Sequence, residues 1–233
     1  MSEIFGEIFL RPLFNLLVII YNVLPAADLG IAVIFMTLIV RIILWPFFSS
    51  AAKSQITFSK LQPEVERIQK KYKDDKAAQT QELLALYKRE KFNPFSGFFV
   101  ILIQIPIIIA LYQVFLRGVK LTDFSLLYPW IKNPGSLDPM FLGWINLTQP
   151  FFVFAILAGI AQFFQTKQIT PKKSQTSSFS SNISRQMLWI GPILTILILK
   201  GLPSVIALYW TVTSIFSIFQ QCLLEKKLKA TNE

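Results

Sequence analysis

Residues 31–47 read IAVIFMTLIVRIILWPF, and they decide what kind of protein this is. They belong to a run of 24 residues between Asp28 and Lys53 whose only charge is Arg41. About 20 mostly apolar residues in a helix cross the roughly 30 Å hydrocarbon core of a bilayer. The run is therefore expected to span a membrane, with an arginine near its middle.

The neighbouring stretches read the same way. Residues 92–116 and 139–166 carry no charge, and 186–199 and 201–224 are two more uncharged stretches on either side of Lys200. Five spans result. Residues 4–25 are apolar too, but Glu7, Arg11, Asn15 and Asn22 interrupt them. They are expected to form an interfacial helix ahead of the first span, with a sixth span as the alternative. The fourth stretch is short, since 14 residues reach only about 21 Å as a helix. Gly201-Leu202-Pro203 supplies the turn into the fifth span.

Composition excludes much else. Hydrophobic residues make up 53% of the 233 and charged residues 15%, against about 25% charged in an average soluble domain. The 23 Lys+Arg outnumber the 13 Asp+Glu, but they bracket apolar runs and do not interleave with polar surface. No specific nucleic-acid site is expected. The absence of histidine removes Ser-His and Cys-His pairs, HExxH zinc sites and haem ligation by histidine. A single cysteine, Cys222, excludes an intrachain disulfide, and no phosphate-binding glycine loop occurs. The expectation is a protein that is not an enzyme and uses no cofactor or metal.

Orientation follows from the basic residues, because cytoplasmic loops hold the excess of Lys and Arg. Residues 53–91 hold ten, 167–185 four and the segment after 222 three, against Arg11, Arg117, Lys120, Lys132 and Lys200 on the other side. The N-terminus is expected outside and the C-terminus in the cytoplasm. No cleavable signal pattern opens the sequence, which favours a bacterial cytoplasmic membrane over an organelle. The expected boundaries are an N-terminal outer-face helix at 1–27, spans at 28–52, 93–117 and 139–166, and a short two-span hairpin at 186–222. An outer loop at 118–138, cytoplasmic segments at 53–92 and 167–185, and a basic tail at 223–233 complete the chain.

Within 53–92, Phe58, Leu61, Val65, Ile68 and Tyr72 are spaced 3, 4, 3 and 4 apart, one apolar seam on a helix. Lys73-Asp74-Asp75-Lys76 reads as a turn, after which Thr80, Leu84 and Tyr87 continue the spacing. Pro63 fits the first turn of a new helix better than an interior. The fold class expected is thus an all-α integral membrane protein: five transmembrane helices, an N-terminal interfacial helix and a cytoplasmic antiparallel helical hairpin.

Arg41 is the anomaly that carries function. A charge at mid-bilayer costs about 2.5–3.5 kcal/mol on insertion scales, and the other four spans contain no Asp or Glu to pair with it. Arginine cannot shed its proton. It must face water or polar side chains within the bundle. Thr37 lies one turn before it on the same face. Gln104, next to the helix-bending Pro106, offers a partner, as do Gln162 and Gln165 and the pair Thr211 and Ser214. Tyr209 and Trp210 either wall such a groove or belong to the interfacial aromatic belt.

These residues resemble the YidC/Oxa/Alb membrane protein insertases. IAVIFMTLIVRIILWPF resembles the first core helix of that family, through Thr37, Arg41 and Pro46. LQPEVERIQKKYKDD (61–75) is similar to the first arm of its cytoplasmic hairpin. NPFSGFFVILIQIPIIIALYQVF (93–115) resembles its second core helix, and FLGWINLTQP (141–150) with ILAGIAQFFQTKQ (156–168) its third. LPSVIALYWTVTSIFSIFQQ (202–221) resembles its last, with Val205 where a glycine is usual and Ser214 where an asparagine is usual.

The resemblance implies an insertase with a chaperone-like role in membrane protein folding. In it, a positively charged groove open to cytoplasm and lipid receives the hydrophilic segment of a nascent membrane protein, and the apolar segment then passes into lipid. Arg41, Thr37, Gln104, Gln162, Gln165, Tyr209, Trp210, Thr211 and Ser214 would line that groove. Implied partners are nascent membrane proteins and the lipid bilayer, with the Sec translocon, the ribosome or the signal recognition machinery as further candidates. The alternative is a small anion transporter or channel built around Arg41, and a purely structural scaffold is a third reading.

Overall fold

The computed structural model describes residues 3–25, 28–90, 92–93, 96–118, 124–170 and 179–230. At the N-terminus α1 (Glu3–Phe5), a π-helical turn (Gly6–Leu10) and α2 (Arg11–Val23) follow one another with helical backbone at each junction. Helix α3 (Leu29–Ile43) starts at Asp28, whose carboxylate caps it by accepting from the Ile31 amide at 2.9 Å.

The helix expected over 28–52 breaks at Leu44. Helix α4 (Trp45–Lys71) starts there and departs from α3 at 72°. Pro46 explains the break, since its ring has no N–H and would clash with the Ile42 carbonyl in a continuous helix. Further along, Pro63 lies inside α4 and does not start a new helix, which corrects the expectation. An interior proline costs about 3 kcal/mol. Burying Leu61 and Val65 against Leu86 on helix α5 (Lys76–Arg89) returns roughly 1.5–3 kcal/mol per side chain, enough to hold the helix through it.

Helices α4 and α5 run in opposite directions. Glu64 pairs with Arg89 at 2.7 Å, the Gln69 carbonyl accepts from Gln79 at 3.0 Å, and Phe58 stacks on Phe92. On α5 the face turned inward is Leu83, Leu86 and Tyr87. Leu84, expected in the seam, is 60% exposed.

Helix α6 (Ser96–Gly118) precedes a non-helical segment, described over residues 124–151, that holds a two-stranded antiparallel pair. In it β1 (Met140–Phe141) and β2 (Ile145–Asn146) join through Leu142 and Gly143, both at positive φ. The helix expected over 139–166 therefore begins only with α7 (Phe152–Ile169). Pro139, Gly143 and Pro150 punctuate residues 139–150, so lack of charge there marks an apolar turn and not a helix. Helix α8 (Phe179–Leu199) has 21 residues, about 32 Å long, so it is not the short element expected. Helix α9 (Ser204–Ala230) runs on through the basic tail. Among the described residues, Gly6–Val23 and Ser204–Leu228 are long and apolar enough to cross a membrane, and the bent α3–α4 pair makes a third if it is one span.

Leu17, Val33, Leu111, Leu147, Ala155 and Val205 belong to one core shared by α2, α3, α6, α7, α9 and the segment between α6 and α7. Leu61, Val65 and Leu86 form a separate small cluster. Large apolar side chains such as Phe35, Ile160, Ile193 and Ile215 are exposed on the outward helix faces, the arrangement a lipid solvent favours.

One end of the bundle is tied off by polar contacts. Asp28 also accepts from the Leu142 amide at 2.6 Å. The Ser204 and Val205 amides, free donors at the start of α9, bond the Gln149 and Leu147 carbonyls at 3.0 and 3.1 Å. Asn15 donates to the Leu126 carbonyl and accepts from the Tyr128 amide, Asn22 donates to the Lys132 carbonyl, and the Tyr21 hydroxyl accepts from the Asp138 amide.

Candidate functional site: a polar cleft around Arg41

Arg41 sits in the last turn of α3, where free carbonyls favour a cation. It is only 4% exposed. Its Nη2 donates to the Thr213 carbonyl at 3.1 Å and to the Ser217 hydroxyl, both on α9. The bend at Leu44 brings the first turns of α4 beneath it, so that the guanidinium carbon stands 4.1 Å from the centre of the Phe48 ring. The ion pairs among the described residues join Arg11 to Glu7 and Arg89 to Glu64 and Glu90. None involves Arg41.

The guanidinium borders a cleft of about 400 Å³. Of the residues expected there, Arg41, Gln104, Gln162, Gln165, Trp210 and Ser214 do line it. Trp210 donates its indole N–H to Gln162 Oε1 at 3.1 Å, which fixes both side chains on facing helices. The other three expected residues lie off the cleft. Thr37 is buried and returns its hydroxyl to the Val33 carbonyl of its own helix. Thr211 does the same with Ala207. Tyr209 is buried behind the wall, where its hydroxyl accepts from Gln104 Nε2 at 2.7 Å and so holds that glutamine in place.

Gln55, Thr213, Ser217, Gln220 and Gln221 also line the cleft and were not among the expected residues. On α9 their signal was present: positions 210, 213, 214, 217, 220 and 221 recur at helical spacing and form one polar stripe. Gln55 has no such signal, being one polar residue among many on α4. Gln220 Nε2 donates to Ser49 Oγ at 3.0 Å and to the Trp45 carbonyl at 3.3 Å, which ties α9 to the start of α4.

The wall is under-satisfied on its polar side. Arg41 Nε and Gln221 Nε2 are buried with no hydrogen-bond partner among the described residues. A buried group left so costs about 1–3 kcal/mol. Among the described residues, those lining the cleft include one full positive charge and no carboxylate. Chemically the cleft offers hydrogen bonds and a positive potential, and no nucleophile–base pair.

Residues 19–231 match the family described as "60Kd inner membrane protein". Two curated relatives, from Francisella philomiragia and Francisella tularensis subsp. novicida, bear the name membrane protein insertase YidC. Each is 31% identical over 204 residues, 88% of this chain and 34% of the relative. A solved structure described as "Active YidC insertase crystal structure with the first transmembrane domain resolved" superposes with a TM-score of 0.65 at 27% identity, over 94% of this chain and 46% of that one. The chain belongs to the YidC/Oxa/Alb family. It spans about a third of the length of these curated YidC relatives. The family match takes in every residue that lines the cleft, from Arg41 to Gln221.

Proposed function

We propose that this protein is a membrane protein insertase of the bacterial inner membrane. Its cleft takes up the hydrophilic segment of a nascent membrane protein, and the adjoining apolar segment leaves into lipid. The observation that carries this reading is Arg41, a buried cation bordering a cleft whose lining includes no carboxylate. A permanent ion pair would neutralise it. Held instead by a carbonyl, a hydroxyl and an aromatic face, its charge stays free to attract acidic residues of a passing segment. The step runs downhill on apolar transfer, about 25 cal/mol per Å² removed from water, and consumes no nucleotide.

In the same proposal the chain has five spans, its N-terminus outside and its C-terminus in the cytoplasm. Helices α4 and α5 form a cytoplasmic hairpin available to the Sec translocon, the ribosome or the signal recognition machinery. The contacts of α2 support an interfacial helix over a sixth span. Arg11 lies over the Tyr128 ring, Asn15 meets Leu126 and Tyr128, and Asn22 meets Lys132. These contacts with one outer segment extend over about 16 Å of helix at 1.5 Å per residue, as they would in a helix lying flat on that face.

The test is reconstitution in protein-free lipid vesicles with a single-span client, scored by protease protection of its translocated segment. Protection above that of empty vesicles is expected. Protection no better than empty vesicles, with anion flux through the same vesicles, would replace the insertase by the transporter reading.

A further inference from the structure

The turn between β1 and β2 holds a leucine where the backbone disfavours one. Its central residues, Leu142 and Gly143, have φ of 53° and 80°, and the Trp144 amide closes it on the Phe141 carbonyl at 3.3 Å. Turns with positive φ at both central positions favour Asn-Gly, because a larger side chain there crowds the following carbonyl through its Cβ. Burial within the protein does not offset this. Leu142 is 58% exposed and Trp144 beside it 69%. A Cβ on Gly143 would meet nothing within 4 Å, so the tip stands clear of the described residues. The root, by contrast, is fixed. Phe141 packs so closely on α3 that a Cβ on Gly30 would stand 2.1 Å from its ring, and Asp28, the cap of α3, accepts from the Leu142 amide.

Strain kept at an exposed apolar side chain points to a cover outside the protein. Leucine and tryptophan together suit the boundary of headgroups and acyl chains, where an indole keeps its N–H wet and its ring dry. The surroundings continue this surface. Phe141 meets Phe154 of α7 at 6.0 Å between ring centres, and from there Val153, Leu157 and Ile160 run exposed along α7 at helical spacing, as lipid-facing side chains do. We propose that the Leu142–Trp144 turn is an interfacial lipid anchor at this end of the bundle, and that it sets the depth of α3. From Leu29 to Arg41 the helix advances about 18 Å. A tip joined rigidly to the first turn of α3 therefore holds the guanidinium that far along the helix from the interface. The proposal goes beyond the insertase reading and does not depend on it.

The experiment places the full chain and its Trp144→Phe variant in phosphatidylcholine–phosphatidylglycerol vesicles, where the difference in emission is that of Trp144. Lipids brominated near the headgroup end of the chain should lower this emission about twofold, as for an indole at the interface, and iodide on both sides should lower it little. Leu142→Asn keeps the amide that Asp28 holds and relieves the crowding, so its melting temperature in detergent should rise while bromolipid quenching of Trp144 falls. A nitroxide on Phe35→Cys, an exposed position of α3, in a Cys222→Ser background reports helix depth. Leu142→Asn combined with Trp144→Ser should shift that depth. Quenching of Trp144 by iodide and not by bromolipid shows a tip in water, and protection from both shows a second copy covering it. Either overturns the anchor. A nitroxide that stays at its depth in the double variant overturns the depth-setting role.

Discussion

Arg41 keeps its place through contacts that are each modest. A hydrogen bond from a charged group contributes about 1.5–3 kcal/mol, and a cation over an aromatic ring about 0.5–2 kcal/mol. Against them stands a mid-bilayer charge worth about 2.5–3.5 kcal/mol on insertion scales. Two such bonds and one ring contact come to about 3.5 kcal/mol at the low end of these ranges, which matches the upper end of that cost. Arg41→Ala should therefore leave thermal stability in detergent within about 1 kcal/mol of wild type, because no carboxylate is left behind unpaired. A loss of several kcal/mol would make Arg41 a structural pin. Asp28 behaves oppositely. It is 7% exposed, caps α3 and holds the Leu142 amide. Asp28→Ala removes a cap worth about 1 kcal/mol and strands an amide at about 1–3 kcal/mol. A destabilisation of roughly 2–4 kcal/mol is expected in a melt, and an unchanged melt would show that the segment between α6 and α7 does not depend on this clasp.

Among the elements, α7 and α8 meet through a glycine. A Cβ on Gly159 would stand 2.4 Å from Ile196 Cγ1, so Gly159→Ala forces the helices apart at about 1–3 kcal/mol. Adding Ile196→Ala should recover part of that loss, and additive effects of the two changes in a thermal melt would deny the close approach. The small core of α4 and α5 stands apart from the main one. Replacing residues 59–90 by a short Gly-Ser linker should leave the melt of the remainder cooperative while impairing insertion. A collapsed melt would show that the main core depends on this arm.

Where helices exist was legible from charge-free runs and from the 3–4 spacing of apolar residues, but where they stop was less so. Pro46 is plain in the sequence, yet Trp45, Phe47 and Phe48 continue the apolar run beyond it and hide the bend. Residues 139–151 lack charge as a span does, and only their prolines and Gly143 separate a turn from a helix. In the cleft, a lone arginine in an apolar run could be read at once. Thr37 and Thr211 could not be placed, because a threonine on a helix satisfies itself on its own backbone as readily as it faces a groove. The stripe through Thr213, Ser217 and Gln221 was there to be read, but it takes the position of Arg41 against Ser217 to show which face of α9 is the inner one.

For the molecule as a whole, exposed apolar helix faces surround a cleft whose lining includes one uncompensated positive charge, and one end of the bundle is closed by Asp28, Asn15 and the amides of α9. In the proposed function such a body lowers the cost of bringing polar groups partway into lipid from one side. The measurement that bears most directly on this is insertion yield in protein-free vesicles for wild type, Arg41→Lys and Arg41→Ala. It is taken on two clients that differ only in whether their translocated segment carries aspartates. A point charge suffices where no bidentate geometry is demanded, so Arg41→Lys should retain most of the yield on both. Arg41→Ala should lose about tenfold or more on the acidic client, a change of roughly 1.4 kcal/mol, and far less on the neutral one. Equal losses on the two clients, with Arg41→Lys as impaired as Arg41→Ala, would contradict the electrostatic cleft.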